Sequence, residues 1–327
     1  MKKFLINSVC FAAILWVFAI VADIYISDNL RHSKERKYAA WNGIYNDTTC
    51  YDMVINGSSR AWVQYDPHIL DSILHLNTYN LGIDGSGINR QMTKYRKYCE
   101  LHGQPKYLLQ NIDIFTMGCT FGYEREQFFP YFFYDRDLMR QADEYEHFTL
   151  AEKYIPYYRY IGIDIHEWDD GLYKGYRGQD KAWDGTMFSQ MDTVQVSSDT
   201  TMLCLFDDFL TEQARLGTQV ILVYSPIYHG VIDKCPDINK MYEMYATLAA
   251  KHHLSILNYM DMPLCYDTMY FYNATHLNRQ GAGIFTTRLA QDLDSLWIAN
   301  GSTQHDAPDA NRQRILPYPL PNPQVNR

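Results

Sequence analysis

The feature that most constrains this sequence is a run of 19 residues, Phe4 to Ala22, that contains no charged side chain and is followed by Asp23. As a helix rising about 1.5 Å per residue, the run spans roughly 28 Å, close to the thickness of a bilayer's hydrocarbon core. Such a run is either an uncleaved membrane anchor or a signal peptide. A signal peptide has a shorter apolar stretch and a small-x-small cleavage site, which Ile20-Val21-Ala22 matches poorly. We therefore expect residues 4–22 to hold the chain in a membrane, within an anchor and flank of residues 1–30.

Basic residues lie on both sides of this run. Lys2 and Lys3 favour a cytoplasmic N-terminus, whereas four basic residues after the run favour the reverse: Arg31, Lys34, Arg36 and Lys37. We expect the N-terminus inside and the main domain outside the cytoplasm, in the periplasm. This expectation rests partly on the family resemblance described below.

The rest of the chain has the composition of a globular protein. Apolar residues make up 47% and charged residues 20% of the sequence, which allows a sizeable core. The 29 Lys and Arg against 38 Asp and Glu give a formal charge of −9. Because affinity for nucleic acid comes mainly from a basic face, we expect no nucleic-acid partner.

Seven cysteines are present, with Cys10 inside the apolar run and six beyond it: Cys50, Cys99, Cys119, Cys204, Cys235 and Cys265. No two form a C-x-x-C pair, which argues against a zinc site. In an oxidising compartment the six could form three disulfides, and ordinary buried thiols explain them equally well.

Short apolar runs alternate with amphipathic segments along the main domain. The predicted strands are Asp52–Asn56, Tyr79–Ile83, Tyr107–Asn111, Val220–Ser225 and Leu254–Tyr259. The predicted helices are Ile88–Leu101, Thr200–Leu216, Asp237–His253 and Asn278–Trp297. This alternation is typical of an α/β fold with a mainly parallel sheet covered on both faces.

Two regions depart from that rhythm. Residues 116–193 hold ten of the 28 tyrosines and are too long and aromatic for a simple connection, so we expect an aromatic-rich insertion. The last residues, 305–327, are rich in Pro, Asn, Gln and Arg without a periodic apolar pattern, which predicts a disordered tail. The main domain would then cover residues 31–304.

Polar residues follow the predicted strands at positions where parallel sheets bind ligands. Gly57-Ser58-Ser59 follows the first strand, Asn80 to Gly85 covers the end of the second, and Asn273 to His276 precedes the last helix. Each segment by itself is typical of an ordinary turn or loop. Together they can supply a serine, backbone N–H donors and a histidine base.

In order and strand context the three segments resemble the sequence blocks of the SGNH (GDSL-like) hydrolase superfamily. The Gly-Ser-Ser form with an N-terminal anchor resembles its membrane-tethered branch, which includes the teichoic-acid D-alanine transfer factor and the alginate O-acetylation proteins. The resemblance implies a flavodoxin-like three-layer α/β/α domain, ester chemistry on an acyl group, and an acylated or acceptor glycan of the cell envelope as partner.

The resemblance also implies roles for individual residues. Ser59 would be the nucleophile and His276 the base that takes its proton. The N–H groups of Ser59 and Gly85 would hold the oxyanion, with Asn111 as a third donor.

The sequence departs from the family pattern at Asn273, where the family has an aspartate three residues before the histidine. An amide oxygen can orient the imidazole but cannot stabilise imidazolium by charge. Three alternatives stay open: a Ser-His dyad enzyme, an acid supplied by Asp261 or Asp267, or a protein that has lost catalysis. The second departure is Gln110-Asn111-Ile112-Asp113, which lacks the glycine of the family's third block, so either Asn111 or Asp113 occupies the place of the third donor.

Two other segments carry side chains that could bind a ligand. Ser225, Tyr228 and His229 follow the fourth strand, so we expect them to contact substrate. His166 to Asp170 offers metal-ligand side chains at a spacing that matches no calcium or zinc motif, and we expect a solvated loop. We expect neither a metal nor a cofactor.

The sequence therefore predicts a membrane-anchored serine esterase or O-acyltransferase acting on acyl, particularly acetyl, esters of envelope polysaccharide. A non-catalytic glycan-binding or envelope-assembly factor with a degenerate site is the alternative, and Asn273 favours it. A purely structural envelope protein would leave the Gly-Ser-Ser turn unexplained.

Overall fold

The computed structural model of the chain describes residues 1–118, 125–164, 171–186 and 188–299. Its helices are α1 (Lys2–Arg31), α2 (Arg36–Asn46), α3 (Ser59–Gln64), α4 (Pro67–Leu74), α5 (Ile88–His102), α6 (Arg136–Glu146), α7 (Leu150–Tyr154), α8 (Thr200–Leu216), α9 (His229–Asp233), α10 (Ile238–His252) and α11 (Arg279–Ala299). Its strands are β1 (Met53–Asn56), β2 (Thr78–Asn80), β3 (Tyr107–Ile112), β4 (Gln219–Tyr224), β5 (Ser255–Asn258), β6 (Phe271–Asn273) and β7 (His276–Leu277).

Five strands form one parallel sheet in the order β2-β1-β3-β4-β5. This order is that of flavodoxin-like folds, in which the chain switches direction across the sheet between β1 and β3. The five strands are those predicted from the apolar runs, with ends that differ by at most three residues. The prediction of an α/β fold with a parallel sheet is confirmed.

Both faces of the sheet are covered, because parallel strands joined by helices must bury side chains on each side. On one face Met53, Ile55 and Leu109 pack into a cluster with Phe285 and Leu289 of α11. Alternate residues of the same strands, such as Val54 and Leu108, are buried towards the other face. The result is three layers, α/β/α.

The helix α8 begins and ends as the sequence predicts. The Asp199 side chain accepts a hydrogen bond from the Met202 N–H, and Gly217 closes the helix with φ +79°. The helices predicted at 88–101, 237–253 and 278–297 are also present, within one or two residues of their predicted ends.

The described residues divide into two compact units. One contains residues 1–47 with the described part of 121–172, and the other contains 48–118 with the described part of 173–299. The second unit carries the parallel sheet. The boundaries expected from the sequence, 30, 116, 193 and 304, differ from this division and stay predictions.

The first unit has a core made largely of aromatic rings. Trp41 of α2 packs on Phe128 and Tyr131, and its indole N–H donates to Gln127 Oε1 at 2.7 Å. Phe148 packs on Phe128 from the other side of that ring cluster. The aromatic surplus of this part of the chain therefore serves packing. The helix α2 lies in a stretch for which no helix or strand was predicted.

The helix α1 is exposed along its apolar length, and its buried residues begin at Asp23. Within the described ranges it alone is long and apolar enough to cross a membrane. The six cysteines in those ranges are free thiols, which favours the thiol alternative over disulfides. Cys119, the segment His166 to Asp170 and the tail 305–327 lie outside the described residues.

Candidate active site

The turn between β1 and α3 carries Ser59. Gly57 has φ +156°, and a Cβ there would lie 2.7 Å from Ala61 Cβ and 2.8 Å from Asn111 Cβ. Only glycine fits so close to its neighbours, which lets the chain turn directly from the sheet into the helix. Ser58 is the N-cap residue and Ser59 the first residue of α3, at the carboxyl end of β1.

Asn80 holds α3 against the end of β2. Its amide N–H groups donate to Ala61 O at 2.8 Å and Tyr65 O at 3.0 Å, and its Oδ1 accepts from the Gly82 N–H at 2.8 Å. A Cβ at Gly82 would lie 2.3 Å from Trp62 N. The block that begins with Asn80 therefore fixes the position of the helix that carries Ser59.

His276 lies on a short antiparallel hairpin formed by β6 and β7. Asn273 and His276 are opposite each other across the two-residue turn Ala274-Thr275. Directly opposed residues of a hairpin project on the same face, so a spacing of three brings these side chains together. Both residues lie in the segment predicted to precede the last helix, but the hairpin was not predicted from the sequence.

Ser59, His276 and Asn273 form a continuous hydrogen-bonded chain. Ser59 Oγ lies 2.7 Å from His276 Nε2, and His276 Nδ1 lies 2.9 Å from Asn273 Oδ1. Asn273 Oδ1 also accepts from the backbone N–H of Thr275 at 3.0 Å. Since a backbone N–H can only donate, the Asn273 atom that faces it is the oxygen. That oxygen accepts from Nδ1–H, which leaves Nε2 unprotonated and able to take the Ser59 proton.

The surroundings disfavour the charged form of this imidazole. Burial among protein atoms, followed by the positive charge of Arg60, lowers the pKa of His276 from 6.5 to about 3. The histidine is therefore neutral at physiological pH. A neutral imidazole is the form that a general base requires.

Ser59 and His276 line a cavity of about 340 Å³. No hydrogen bond within the described residues uses the backbone N–H of Ser59 or of Gly85, which also lines the cavity. Both donors are thus available to an oxyanion. The cavity is lined mostly by small and polar residues: Ser58, Ser59, Arg60, Gly85, Ser86, Gly87, Phe115, Gly118, Ser197, Thr275 and His276.

Buried amides support the loop that carries Gly85. Asn56 Nδ2 donates to Gln110 Oε1 at 2.9 Å, and Gln110 Nε2 donates to Gln91 Oε1 at 3.0 Å. Gln91 Nε2 in turn donates to Ser86 O at 2.8 Å. This chain runs from β1 through β3 and α5 to the residue next to Gly85.

Asn111, expected as a third oxyanion donor, does not line the cavity. It is fully buried beneath α3, where its amide donates to Asp113 Oδ2 at 3.2 Å and its Oδ1 accepts from Tyr65 OH at 2.8 Å. These bonds use the side chain to join β3 to the end of α3. Asn111 therefore supports the position of α3 and does not face the cavity.

Arg60, which follows Ser59, was not predicted as a site residue from the sequence. Its guanidinium is buried and donates from Nη2 to Ser225 O at 2.5 Å and Pro226 O at 3.0 Å. Its Nη1 lies 3.7 Å from Asp113 Oδ2. The arginine links the start of α3 to the loop after β4 and places a positive charge beside the cavity. A charged residue directly after the Gly-Ser-Ser turn, in the first turn of a buried helix, was the available signal.

The residues expected to contact substrate do not line the cavity. Ser225 is fully buried, and its carbonyl accepts from Arg60. The Tyr228 ring packs edge-on against Trp183, and His229 stacks on Tyr266. Phe115, Ser86 and Ser197 line the cavity instead, and nothing in the sequence pattern marked them.

Neither alternative acid contacts His276. Asp267 accepts from the Met269 N–H at 2.9 Å, and Asp261 accepts from the Tyr266 hydroxyl. Of the open alternatives, the structure therefore leaves the dyad oriented by Asn273 and the loss of catalysis.

No protein-family model matches the sequence, and no curated protein is similar to it. Among solved structures, a Bacteroides fragilis protein provisionally described as an acylhydrolase has a TM-score of 0.41 at 11% identity, covering 80% of this chain and 97% of its own. A protein of Streptococcus pneumonia provisionally described as a platelet activating factor has a TM-score of 0.41 at 12% identity, covering 88% and 98%. Likenesses this weak say nothing about the chemistry of this chain.

Proposed function

We propose that this chain is a membrane-anchored serine esterase or O-acyltransferase of the SGNH type that acts on short acyl esters of a cell-envelope glycan. The 2.7 Å contact between Ser59 Oγ and His276 Nε2 supports this most directly. It joins a nucleophile to a base whose tautomer is fixed by Asn273. The order of the three sequence blocks and the parallel sheet agree with it.

In the proposed reaction Ser59 Oγ attacks the carbonyl carbon of the acyl ester while Nε2 takes the hydroxyl proton. The negative charge on the carbonyl oxygen is held by the N–H groups of Ser59 and Gly85. His276 then gives its proton to the departing sugar oxygen, which leaves an acyl group on Ser59. Water, or a sugar hydroxyl in a transferase, gives a proton to His276 and attacks the carbonyl carbon of the acyl-enzyme. The bond from that carbon to Ser59 Oγ then breaks, His276 returns the proton to Oγ, and the carboxylic acid or the new sugar ester leaves.

The size and the lining of the cavity favour a short acyl group. It is small and lined by serines and glycines, whereas a long acyl chain needs an extended apolar channel. An acetyl ester satisfies this limit.

Arg60 has two opposed effects in this proposal. Its charge stabilises the negative oxyanion, and it disfavours the imidazolium that forms at the same moment. With an amide at position 273 no carboxylate within the described residues contacts His276, and only Asp113 among them, 3.7 Å from Arg60, offsets part of the arginine's charge. In serine proteases the change from aspartate to asparagine lowers the rate by about 10⁴-fold, so we expect a slow enzyme.

The experiment that tests the proposal measures hydrolysis of 4-nitrophenyl acetate and of acetylated polysaccharide by the full chain in detergent. Ser58→Ala is the matched control for Ser59→Ala, because Ser58 lines the same cavity without the contact to His276. Loss of turnover in Ser59→Ala alone supports the proposal. Absence of turnover in the folded native protein favours the glycan-binding alternative, for which Asn273 and the low basicity of His276 are the supporting observations.

The proposed location is a membrane with the N-terminus in the cytoplasm and the main domain outside it. The length and composition of α1 support the anchor. Protease added to spheroplasts should cleave the main domain, and protection of that domain would reverse the proposed topology.

A further inference from the structure

We propose that residues 154–161 form an aromatic turn that rests in the interface of the same bilayer that α1 crosses, between the lipid headgroups and the upper acyl chains. The proposal rests on the anchoring of α1 and goes beyond the ester chemistry. It commits to lipid as the partner of this surface.

The aromatic turn is hydrogen-bonded to α1 where the charge-free run ends. The Tyr157 backbone N–H donates to Asp23 Oδ2 at 2.7 Å, and the Tyr160 hydroxyl lies 2.7 Å from Ser27 Oγ. Asp23 directly follows Ala22, the last residue of that run. If the run fills the hydrocarbon core, these two contacts lie about 1.5 Å and about 7.5 Å beyond its boundary along α1.

Asp23 is shielded by protein at this boundary. Asp23 and Arg159 are both almost fully buried, and they form an ion pair in which Arg159 also donates to Phe129 O at 3.0 Å. A carboxylate at the edge of the hydrocarbon core is costly unless it is paired. The side of α1 that carries Asp23 is therefore covered by protein from this residue onward, so the covering segment itself meets the bilayer.

The outward side of the turn has the composition of a membrane interface. Arg159 is the only charged residue in segment 154–161, and its side chain points inward. Tyrosine is enriched where membrane meets water because its ring is apolar and its hydroxyl is polar. Tyr25 of α1 is 70% exposed near the same level. The exposed side chains of the turn are Tyr154 (70%), Ile155 (43%), Tyr157 (39%), Tyr158 (45%) and Ile161 (64%).

The backbone holds these side chains in place. The Tyr158 N–H donates to Ile155 O at 3.2 Å, the Tyr160 N–H to Tyr157 O at 2.9 Å, and the Ile161 N–H to Tyr158 O at 3.1 Å. A contiguous exposed apolar surface on an ordered segment marks an interaction site. Its continuity with the exposed apolar face of α1 favours lipid over a protein partner.

The test uses the full chain in bilayer nanodiscs with phospholipids brominated near the top of the acyl chain, which quench nearby tryptophan. Tyr158→Trp places a reporter in the turn. Tyr134→Trp is the matched control, because Tyr134 is 59% exposed in the same unit and contacts Arg31, which lies eight residues, or about 12 Å, further along α1 than Asp23. Native Trp16 reports on insertion of α1. Its fluorescence is obtained by subtracting the emission of the Trp16→Phe variant from that of the native chain.

We expect the brominated lipids to reduce the fluorescence of the tryptophan at position 158 by about the same fraction as that of Trp16. The fluorescence of the tryptophan at position 134 should fall by a clearly smaller fraction. Quenching of Trp16 without quenching at 158 would overturn the proposal and leave the anchor intact. Protection of the reporter at 158 from aqueous acrylamide without lipid quenching would assign the turn to a protein partner, and also overturn it. If Trp16 is not quenched, the anchor and the turn both fail, while serine reactivity is unaffected.

Discussion

Asn273 Oδ1 lies 2.9 Å from His276 Nδ1, across a hairpin turn that places the two side chains on one face. The SGNH pattern has a carboxylate at this position. The amide keeps the geometry that the carboxylate would have, because it fixes the imidazole tautomer that leaves Nε2 free. It does not supply the negative charge. The site is therefore ordered for base catalysis and weak in its electrostatic support.

The first prediction concerns the charge missing at position 273. Asn273→Asp keeps an oxygen facing the Thr275 N–H and His276 Nδ1, and adds a negative charge that stabilises imidazolium. We expect kcat/KM for an acetyl ester to rise by about 10² to 10⁴-fold at neutral pH. The pKa of His276 should rise from about 3, so the acid limb of the pH-rate profile should move to higher pH.

The control for this variant is Asn273→Ala, which removes one of the two oxygens 2.9 Å from Nδ1, leaves the Thr275 hydroxyl as the other, and should lower the rate. An aspartate variant with unchanged rate and unchanged acid limb would show that His276 does not act as the base.

The second prediction concerns Arg60. Its positive charge is one of the two causes that lower the pKa of His276, and burial is the larger cause. In Arg60→Gln we expect the acid limb to move part of the way towards pH 6.5, together with lower kcat because the oxyanion loses a nearby positive charge. Arg60→Lys keeps the charge and should leave the acid limb in place. Equal pH profiles in both variants would contradict an electrostatic role.

The third prediction concerns stability in acid. The pKa of His276 is about 3 in the folded chain against 6.5 for an ordinary histidine. Between these values the unfolded chain binds a proton that the folded chain does not, so stability falls as the pH drops from 6.5 towards 3. Above pH 6.5 this contribution is constant. We expect His276→Gln to flatten the fall in Tm over this window, and an unchanged slope would refute the low pKa.

The fourth prediction concerns the close approach of Gly82 to α3. A Cβ at this position would lie 2.3 Å from Trp62 N, so Gly82→Ala must displace the helix that carries Ser59. We expect a loss of about 1–3 kcal/mol in the free energy of unfolding and a fall in kcat. Gly283→Ala is the control: its Cβ meets only Ile69 Cδ1 at 3.9 Å inside α11, and alanine favours a helix by up to about 1 kcal/mol. Equal stability of the two variants, measured by denaturant unfolding, would argue against this packing.

The parallel sheet followed from the sequence because each strand is a short apolar run bounded by turn residues, whereas the flavodoxin-like arrangement was implied only by the family resemblance. Val220–Ser225 is an example, since buried parallel strands read as continuous apolar segments. Ser59 and His276 were also predicted, because Ser59 follows the first predicted strand, His276 precedes the last predicted helix, and together their segments resemble the family's blocks.

The remaining features depend on contacts between distant residues. The hairpin that carries His276 has strands of three and two residues, too short for a periodic pattern. Arg60 can be buried because Ser225 O and Pro226 O, more than 160 positions later, accept hydrogen bonds from its guanidinium. Asn111 has the residue type of an oxyanion donor, yet Asp113 and Tyr65 take its hydrogen bonds. Residue type alone carries no information about which of these partners are present.

The measurement that tests the central claim most directly is labelling of the full-length protein in detergent with a fluorophosphonate probe, which reacts only with an activated serine. Ser59→Ala and His276→Ala are compared with the native chain, and Ser58→Ala is the control. We predict labelling of the native protein and of Ser58→Ala, and none in the other two variants. Absence of labelling in the folded native protein, or labelling that persists in Ser59→Ala, would contradict the assignment of Ser59 as a nucleophile activated by His276.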